Sequence, residues 1–243
     1  MFVHLHNHSD FSLLDGACRI PELIKIVSAQ GAPAVALTDH GNMFGALEFY
    51  TQARDADIKP IIGCEFYLAP GSRKDKKTGT SRLRYHQVLL AKNHTGYQNL
   101  CKLTSESFIA GFYYKSRIDK ELLSQYSEGL ICLSSCLQGE IPQHLLDGNI
   151  DLANETAQFY KGLFGDDFYL EVQRHGIDKQ EQIIPALAQF ADDLDLKLVA
   201  TNDSQFLKRE DSTAHDVLLC VGTQSKVDDP NRMRFDGQEF YVK

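Results

Sequence analysis

A mixed α/β domain on a largely parallel sheet, open or closed into a barrel, is what the sequence predicts. Two observations predict it. Short apolar, β-branched runs alternate with helical patterns almost throughout the 243 residues, and the seven strand candidates are separated mainly by helices rather than tight turns. Strands are expected at 2–6 ("FVHLH"), 33–39 ("PAVALTD"), 59–69 ("KPIIGCEFYLA"), 86–92 ("HQVLLAK"), 129–135 ("GLICLSS"), 168–174 ("FYLEVQR") and 197–201 ("KLVAT"). The segment "PELIKIVSAQG" reads as a helix with Pro21 in its first turn and Gly31 as its stop. Further helices are expected in "GALEFYTQARDA", "NIDLANETAQFYKGLFG" and "IIPALAQFADDLDL". No internal repeat stands out, and the length suits one large domain or two small ones, either able to bury a substantial core.

Composition narrows the class. With 43% hydrophobic and 24% charged residues the chain reads as an ordinary soluble globular protein. No apolar run approaches the roughly 20 residues that span a bilayer. The N-terminus lacks the charged-then-apolar layout of a signal peptide, so a cytoplasmic protein with no membrane partner is expected. The six cysteines lie mostly in apolar segments without a CxxC pair. They read as buried small hydrophobes, or as a metal ligand or nucleophile, rather than as disulfides. A net charge of −8 excludes a generic polyanion binder. Nucleic acid would have to be met through a local patch or through cations held by acids and histidines.

Residues 70–84, "PGSRKDKKTGTSRLR", concentrate Arg73, Lys74, Lys76, Lys77, Arg82 and Arg84. They read either as a solvated hairpin loop or as a basic flap touching phosphates. From Thr223 onward no helix is evident, and "EFYVK" looks like a cut end or a segment docking on something else.

The chemistry-bearing residues sit at strand ends. In "HLHNHSD", His4, His6 and His8 project to one side of a strand. His6 and His8 converge there as a metal pair requires, and His4 packs behind them. "LTDHG" places Asp39 and His40 where a strand gives way to a loop, the edge at which α/β folds build sites. Glu65 lies among Ile61, Ile62, Cys64, Phe66 and Tyr67, where a carboxylate is costly unless paired or bound to metal. His86 begins a strand, so it meets Glu65 only if the two strands form an antiparallel hairpin. Cys136 follows a strand end as either a ligand or a buried structural thiol. Asp203 closes the last strand, with Gln205 two residues on, and Asp15 lies just past the opening histidines. Imidazole, carboxylate and thiolate together suit zinc, manganese or iron better than magnesium or calcium alone. Arg174 and His175 read as phosphate contacts or as a surface Arg and a capping His.

Taken in order, "HLHNHSDFSLLDG", "ALTDHGNMFGALEFY", "DIKPIIGCEFY", "HQVLLAKNHTGYQNL", "GFYYKSRIDKELL", "LSSCLQGEIP" and "ATNDSQFL" resemble the PHP (polymerase and histidinol phosphatase) domain of bacterial replicative DNA polymerase III alpha subunits. The likeness runs to the final "EFYVK". It implies one domain over 1–243, a distorted seven-stranded (β/α)7 barrel, with 223–243 as an edge segment leading toward a polymerase region. It also implies a centre of two or three divalent metals, zinc or manganese first and iron or magnesium as alternatives. His6, His8, Glu65 and Asp203 would hold one metal, Glu65, His86 and Cys136 a second, and Asp15, His40 and residue 205 a third. The family usually shows Asp-x-His where this chain has Asp203-Ser204-Gln205. An amide oxygen is a poorer ligand than imidazole, so the third site is expected to bind weakly or to take a harder ion.

The implied activity is metal-dependent phosphoester hydrolysis, as a proofreading 3′–5′ exonuclease on a DNA 3′ end. His6, His8, Glu65 and Asp203 are central, and a metal-activated hydroxide, not a side chain, is the nucleophile. Two other readings stay open. One is a pyrophosphatase or small-molecule phosphatase with the same centre. The other is a metal-stabilised structural module that braces the polymerase region and touches a separate proofreading subunit. Polymerase activity itself is not expected, because the chain ends before any palm-like region.

Overall fold

The computed structural model describes residues 2–77 and 83–243. Its sheet comprises β1 (Ala34–Leu37), β2 (Lys59–Leu68), β3 (Tyr85–Ala91), β4 (Arg117–Ile118), β5 (Leu130–Leu133), β6 (Phe168–Val172) and β7 (Lys197–Ala200). The order is β1-β2-β3-β5-β6-β7, with β4 pairing β2. All pairings are parallel except those of β3, which runs antiparallel to β2 and β5. The helices are α1 (Ile20–Ala29), α2 (Ala46–Asp55), α3 (His94–Ile109), α4 (Lys120–Gln125), α5 (Glu140–Leu146), α6 (Ile150–Phe164), α7 (Asp178–Leu194) and α8 (Ser212–Thr223). None is long and apolar enough to cross a membrane, among the described residues.

Local chemistry explains the boundaries. Helix α1 carries Pro21 in its first turn, where the missing N–H costs nothing. It ends before Gly31, at φ +71°, a value glycine adopts without steric cost. Helix α3 is capped by the Asn93 side chain accepting from Gly96 N–H at 3.0 Å, and α4 by Asp119 accepting from Leu122 N–H at 2.9 Å.

The predicted strand at 2–6 is not a regular strand. The segment still closes the sheet on itself. Ala36 N–H donates to His4 O at 2.8 Å on one side, while Ser204 N–H donates to His6 O and His8 N–H to Ser204 O on the other, at 3.0 and 2.9 Å. Asn7 breaks the ladder, its side-chain amide donating to His4 O and Ala36 O at 3.2 and 2.9 Å, positions a strand neighbour would otherwise serve. The seventh strand is instead the two-residue β4. Gly63 in β2 is required by this curl, because a Cβ there would lie 2.6 Å from Leu90 Cδ2 and 2.7 Å from Leu89 O.

Side-chain alternation sorts the two faces. Outward positions such as Cys64, Phe66, Leu68, Leu89, Cys132, Phe168 and Leu170 form the main core with α3, α4, α6 and α7. A second core packs α1 and α2 onto β1. Inside the curl, Ala36, Val88, Leu90 and Leu133 fill one end with Leu5, Ile61, Ile131, Tyr169 and Val199 packed against them. The inward positions at the other end are Glu65, Tyr67, His86 and Glu171. One end is an apolar plug and the other a polar bowl. The tail beyond α8 folds back, burying Phe240 and Val242 and bridging Tyr241 to Phe206.

Candidate metal centre

Five strand ends supply the bowl. The antiparallel β2–β3 hairpin sets Tyr67 opposite His86 and so puts His86 diagonal to Glu65 on one face. His40 follows β1 and is tied to β2 by Gly41 N–H donating to Glu65 O at 2.8 Å. The Cys136 loop is fastened to β3 by His86 N–H donating to Gln138 O at 2.9 Å. Ser135 and Asp203, just after β5 and β7, both take positive φ, 67° and 44°. Such backbone is uncommon for non-glycine residues and clusters at functional sites.

Glu65, 1% exposed, is the hub. Its Oε1 lies 3.3 Å from His6 Nε2 and 3.1 Å from His86 Nδ1, and accepts from Ser135 Oγ at 2.8 Å. Its Oε2 lies 2.7 Å from His40 Nδ1 and 3.6 Å from His8 Nε2. Asp203 Oδ1 stands 3.2 Å from His8 Nε2 and 3.6 Å from His6 Nε2. Asp15 Oδ2 is 3.3 Å from His40 Nε2, and Cys136 Sγ is 3.9 Å from His86 Nδ1. In each of three groups (His6, His8, Asp203; His8, His40, Glu65; Glu65, His86, Cys136) the donor atoms all lie within 4.8 Å of one another.

Glu65 Oε1 is hydrogen-bonded to His86 Nδ1 and Ser135 Oγ, but other atoms of the cluster approach without bonding. His6 Nε2, His8 Nε2, His40 Nδ1, Glu65 Oε2 and Asp15 Oδ1 are buried with no hydrogen-bond partner. Each such atom costs about 1–3 kcal/mol when left alone, and a convergent set is what a divalent cation satisfies. The mixture of nitrogen, oxygen and sulfur fits such an ion. Position 205 fits less well. Gln205 Nε2 donates to Asp203 Oδ1 at 2.7 Å, occupying an oxygen a cation would use, while its own Oε1 has no partner.

Electrostatics point the same way. Burial opposes charge on His6, yet Glu171, Asp203 and Glu65 hold its imidazole well above the ordinary range. His40 is likewise raised against its burial, by Tyr67, Glu65 and Asp15. Burial and the neighbouring His40 lower His8. Despite burial, His86, His6 and His40 keep the Glu65 carboxyl well below its usual range, and His6 and His8 do the same for Asp203. Burial, then Glu65 and Asp203, push the Cys136 thiol well up, so its thiolate needs a cation beside it. Protons on His6 and His40 compete with metal. The apparent affinity for Mn²⁺ or Zn²⁺ is therefore expected to fall as pH drops from about 8 to 6, with protons released on binding. Calorimetry in buffers of different ionisation enthalpy measures that release, and an affinity flat over this range would contradict it.

The support behind the ligands was not evident in the sequence. Glu171 Oε1 accepts from His6 Nδ1–H at 2.7 Å, from Gln173 Nε2 at 2.9 Å and from Thr201 Oγ1, which turns His6 Nε2 toward Glu65. Ser12 Oγ donates to Asp39 Oδ1 at 2.6 Å and accepts from His8 Nδ1–H and His40 N–H at 3.2 and 3.1 Å. Glu171 lies in an apolar strand just as Glu65 does, so the burial argument applied to one would have found the other. Glu171→Gln is expected to weaken metal binding by about 10–100-fold while the fold persists, as read by competition with a chelator.

Other expected residues are engaged elsewhere. His4 Nε2 bonds Lys243 O at 2.8 Å, outside the cluster. His175, expected to touch phosphate, is 3% exposed and stacks on Phe240 at 3.9 Å. Its ring nitrogens are both taken, by Asn202 O at 2.7 Å and the Gln180 amide at 2.8 Å. Arg174 makes two 2.8 Å bonds to Glu181 on the exposed surface. In the basic stretch, Arg73 is buried against Asp119 at 2.8 Å, Lys74, Lys76 and Lys77 are exposed, and Arg82 lies outside the described residues.

The family model for the PHP domain matches residues 4–175. The chain belongs to the PHP domain family. Over its whole length this PHP domain is 51% identical to DNA polymerase III subunit alpha of Treponema pallidum and 47% identical to that of Thermus aquaticus, covering 21% and 20% of those proteins. It thus spans about a fifth of the relatives it matches. Among solved structures, a protein of Bifidobacterium adolescentis assigned as a metal-dependent phosphoesterase aligns with TM-score 0.54 at 14% identity, covering 83% of the PHP domain and 86% of that chain. An amidohydrolase of Chromobacterium violaceum with bound sulfate aligns with TM-score 0.52 at 16% identity, over 84% and 87%. At such identities the likeness concerns the fold.

Proposed function

We propose that this PHP domain is a metal-dependent phosphoesterase that hydrolyses phosphodiester bonds at DNA 3′ ends, as part of a cytoplasmic replicative polymerase chain. The observation that carries the reading is Glu65, a buried carboxylate whose two oxygens face the rings of His6, His8, His40 and His86. One such group can serve two adjacent cations. The proposed ligand sets are His6, His8, Glu65 and Asp203 for one metal, and Glu65, His86 and Cys136 for a second. Asp15 and His40 make a third, weaker set, because the Gln205 amide bonds to Asp203 instead. Nitrogen and sulfur donors favour zinc or manganese over magnesium, with iron also compatible. Bound there, the ions supply Lewis-acid stabilisation of phosphoryl oxygens and an activated water. The chain's own residues hold the ligands in place: Glu171 fixes His6, Ser12 and Asp39 fix His8 and His40, and Ser135 fixes Glu65.

Likeness to polymerase alpha subunits favours DNA as substrate and the remaining polymerase region as partner, with a separate proofreading subunit as a further one. Gln205 favours a second reading, a metal-stabilised brace with little turnover. Stripping the chain, restoring Mn²⁺, Zn²⁺ or Mg²⁺, and assaying a 3′-mismatched primer beside pyrophosphate tests the proposal, with His8→Ala as control. Primer hydrolysis lost in the control supports it. Preference for pyrophosphate makes the domain a small-phosphate hydrolase. Stoichiometric metal and a raised Tm without turnover make it the brace.

A further inference from the structure

Exposure marks the side from which a substrate reaches the cluster. The side chains of His6 and His8 are fully buried, whereas those of His40, His86 and Asp15 are 11%, 20% and 23% exposed. Tyr67 lies along that open edge, its ring stacked 5.9 Å from His40 and edge-on 5.3 Å from His86. Two cations gather over the same ring, the Arg84 guanidinium and Lys115 Nζ, each 5.4 Å from its centroid. They come from different places, Arg84 just before β3 and Lys115 just before β4. Lys115 also lies close enough to Asp15 to lower its carboxyl further, after His40 and His8.

Like charges drawn to one aromatic ring repel each other, and the buried Arg117 adds to the positive field around Arg84. Among the described residues no carboxylate lies within ion-pair distance of Lys115. On a chain of net charge −8 a positive edge beside the more exposed side of the cluster, among the described residues, suits an arriving anion.

We propose that Arg84 and Lys115 form a phosphate-binding rim, holding backbone phosphates of a single DNA strand so that the terminal phosphodiester lies over the cluster. This rests on the phosphoesterase reading, and it assigns substrate contact to residues that composition and strand ends did not single out together. A free diphosphate shares the oxyanion chemistry and is the other arm of the test.

The test is fluorescence anisotropy of a labelled single-stranded oligonucleotide against the Mn²⁺-loaded chain over a range of NaCl, with pyrophosphate binding followed by calorimetry. Lys115→Ala and Arg84→Ala are each expected to weaken oligonucleotide binding by about five- to tenfold near 0.1 M salt, and to lower the salt slope by about 0.7. Metal content stays constant, and KM rises while kcat changes little. Lys115→Arg keeps the slope, and Lys25→Ala on α1 leaves binding unchanged. Alanine variants with wild-type affinity and slope overturn the rim, as do variants that lose only pyrophosphate affinity. A wild-type chain that binds neither probe overturns both the rim and the phosphoesterase reading. Binding that depends on both cations without any turnover upholds the rim and removes only the hydrolytic role.

Discussion

Glu65→Gln empties the centre: at least a hundredfold weaker metal binding is expected, and primer hydrolysis falls with it. Groups that merely orient a ligand cost about 10–100-fold when removed, and Glu65 faces two donor groups directly. Glutamine keeps the shape and an acceptor for Ser135, so the loss isolates the charge. It also strips His6 and His40 of a buried anion, and their imidazoles move down toward neutrality. Metal content after dialysis, together with the Tm difference between loaded and chelated samples, reads the effect. Two ions per chain retained in the variant would remove Glu65 from its shared role.

The second large effect concerns stability. Asp39, 1% exposed, accepts from Ser9 N–H and Ser9 Oγ at 2.7 Å each and from Ser12 Oγ at 2.6 Å. It thereby locks the turn that follows the opening histidines onto the end of β1. Asp39→Ala leaves these buried donors without an acceptor, and breaking a buried charged network of this kind costs about 3–5 kcal/mol. For a chain of this size that lowers Tm by roughly 6–20 °C. Circular dichroism melts of the metal-free chain measure it, because metal would mask the loss by mass action. A shift below about 2 °C, less than one such bond is worth, would show that Asp39 is not the anchor.

Strand-end reasoning reached His6, His8, His40, Glu65, His86, Cys136 and Asp203, whose side chains converge, because a strand's period fixes which residues share a face and its end fixes which can meet. His86 was the instructive member, since its place at the start of a strand made sense only if β3 ran antiparallel, as it does. What the residues did not reveal was long-range. Ser12 supports His8 and His40 and is itself held by Asp39, 27 residues away just past β1, and nothing near Ser12 in the chain announces it. His175 looked available until Phe240 folded back over it. The seventh strand is two residues long, too short to carry a period. The first strand lost its regularity to one asparagine, whose side chain took carbonyls that the ladder would have used.

The closure of the sheet by residues 4–8 against Ser204 has a consequence for synthesis. His6 and His8 leave the ribosome well before Asp203, which follows 195 residues behind His8. At about 5–20 residues per second the histidines wait roughly 10–40 s before their carboxylate partner exists. Selective metal capture is therefore a late event in the life of the nascent chain, and until then its leading histidines are open to whichever ion the cell supplies.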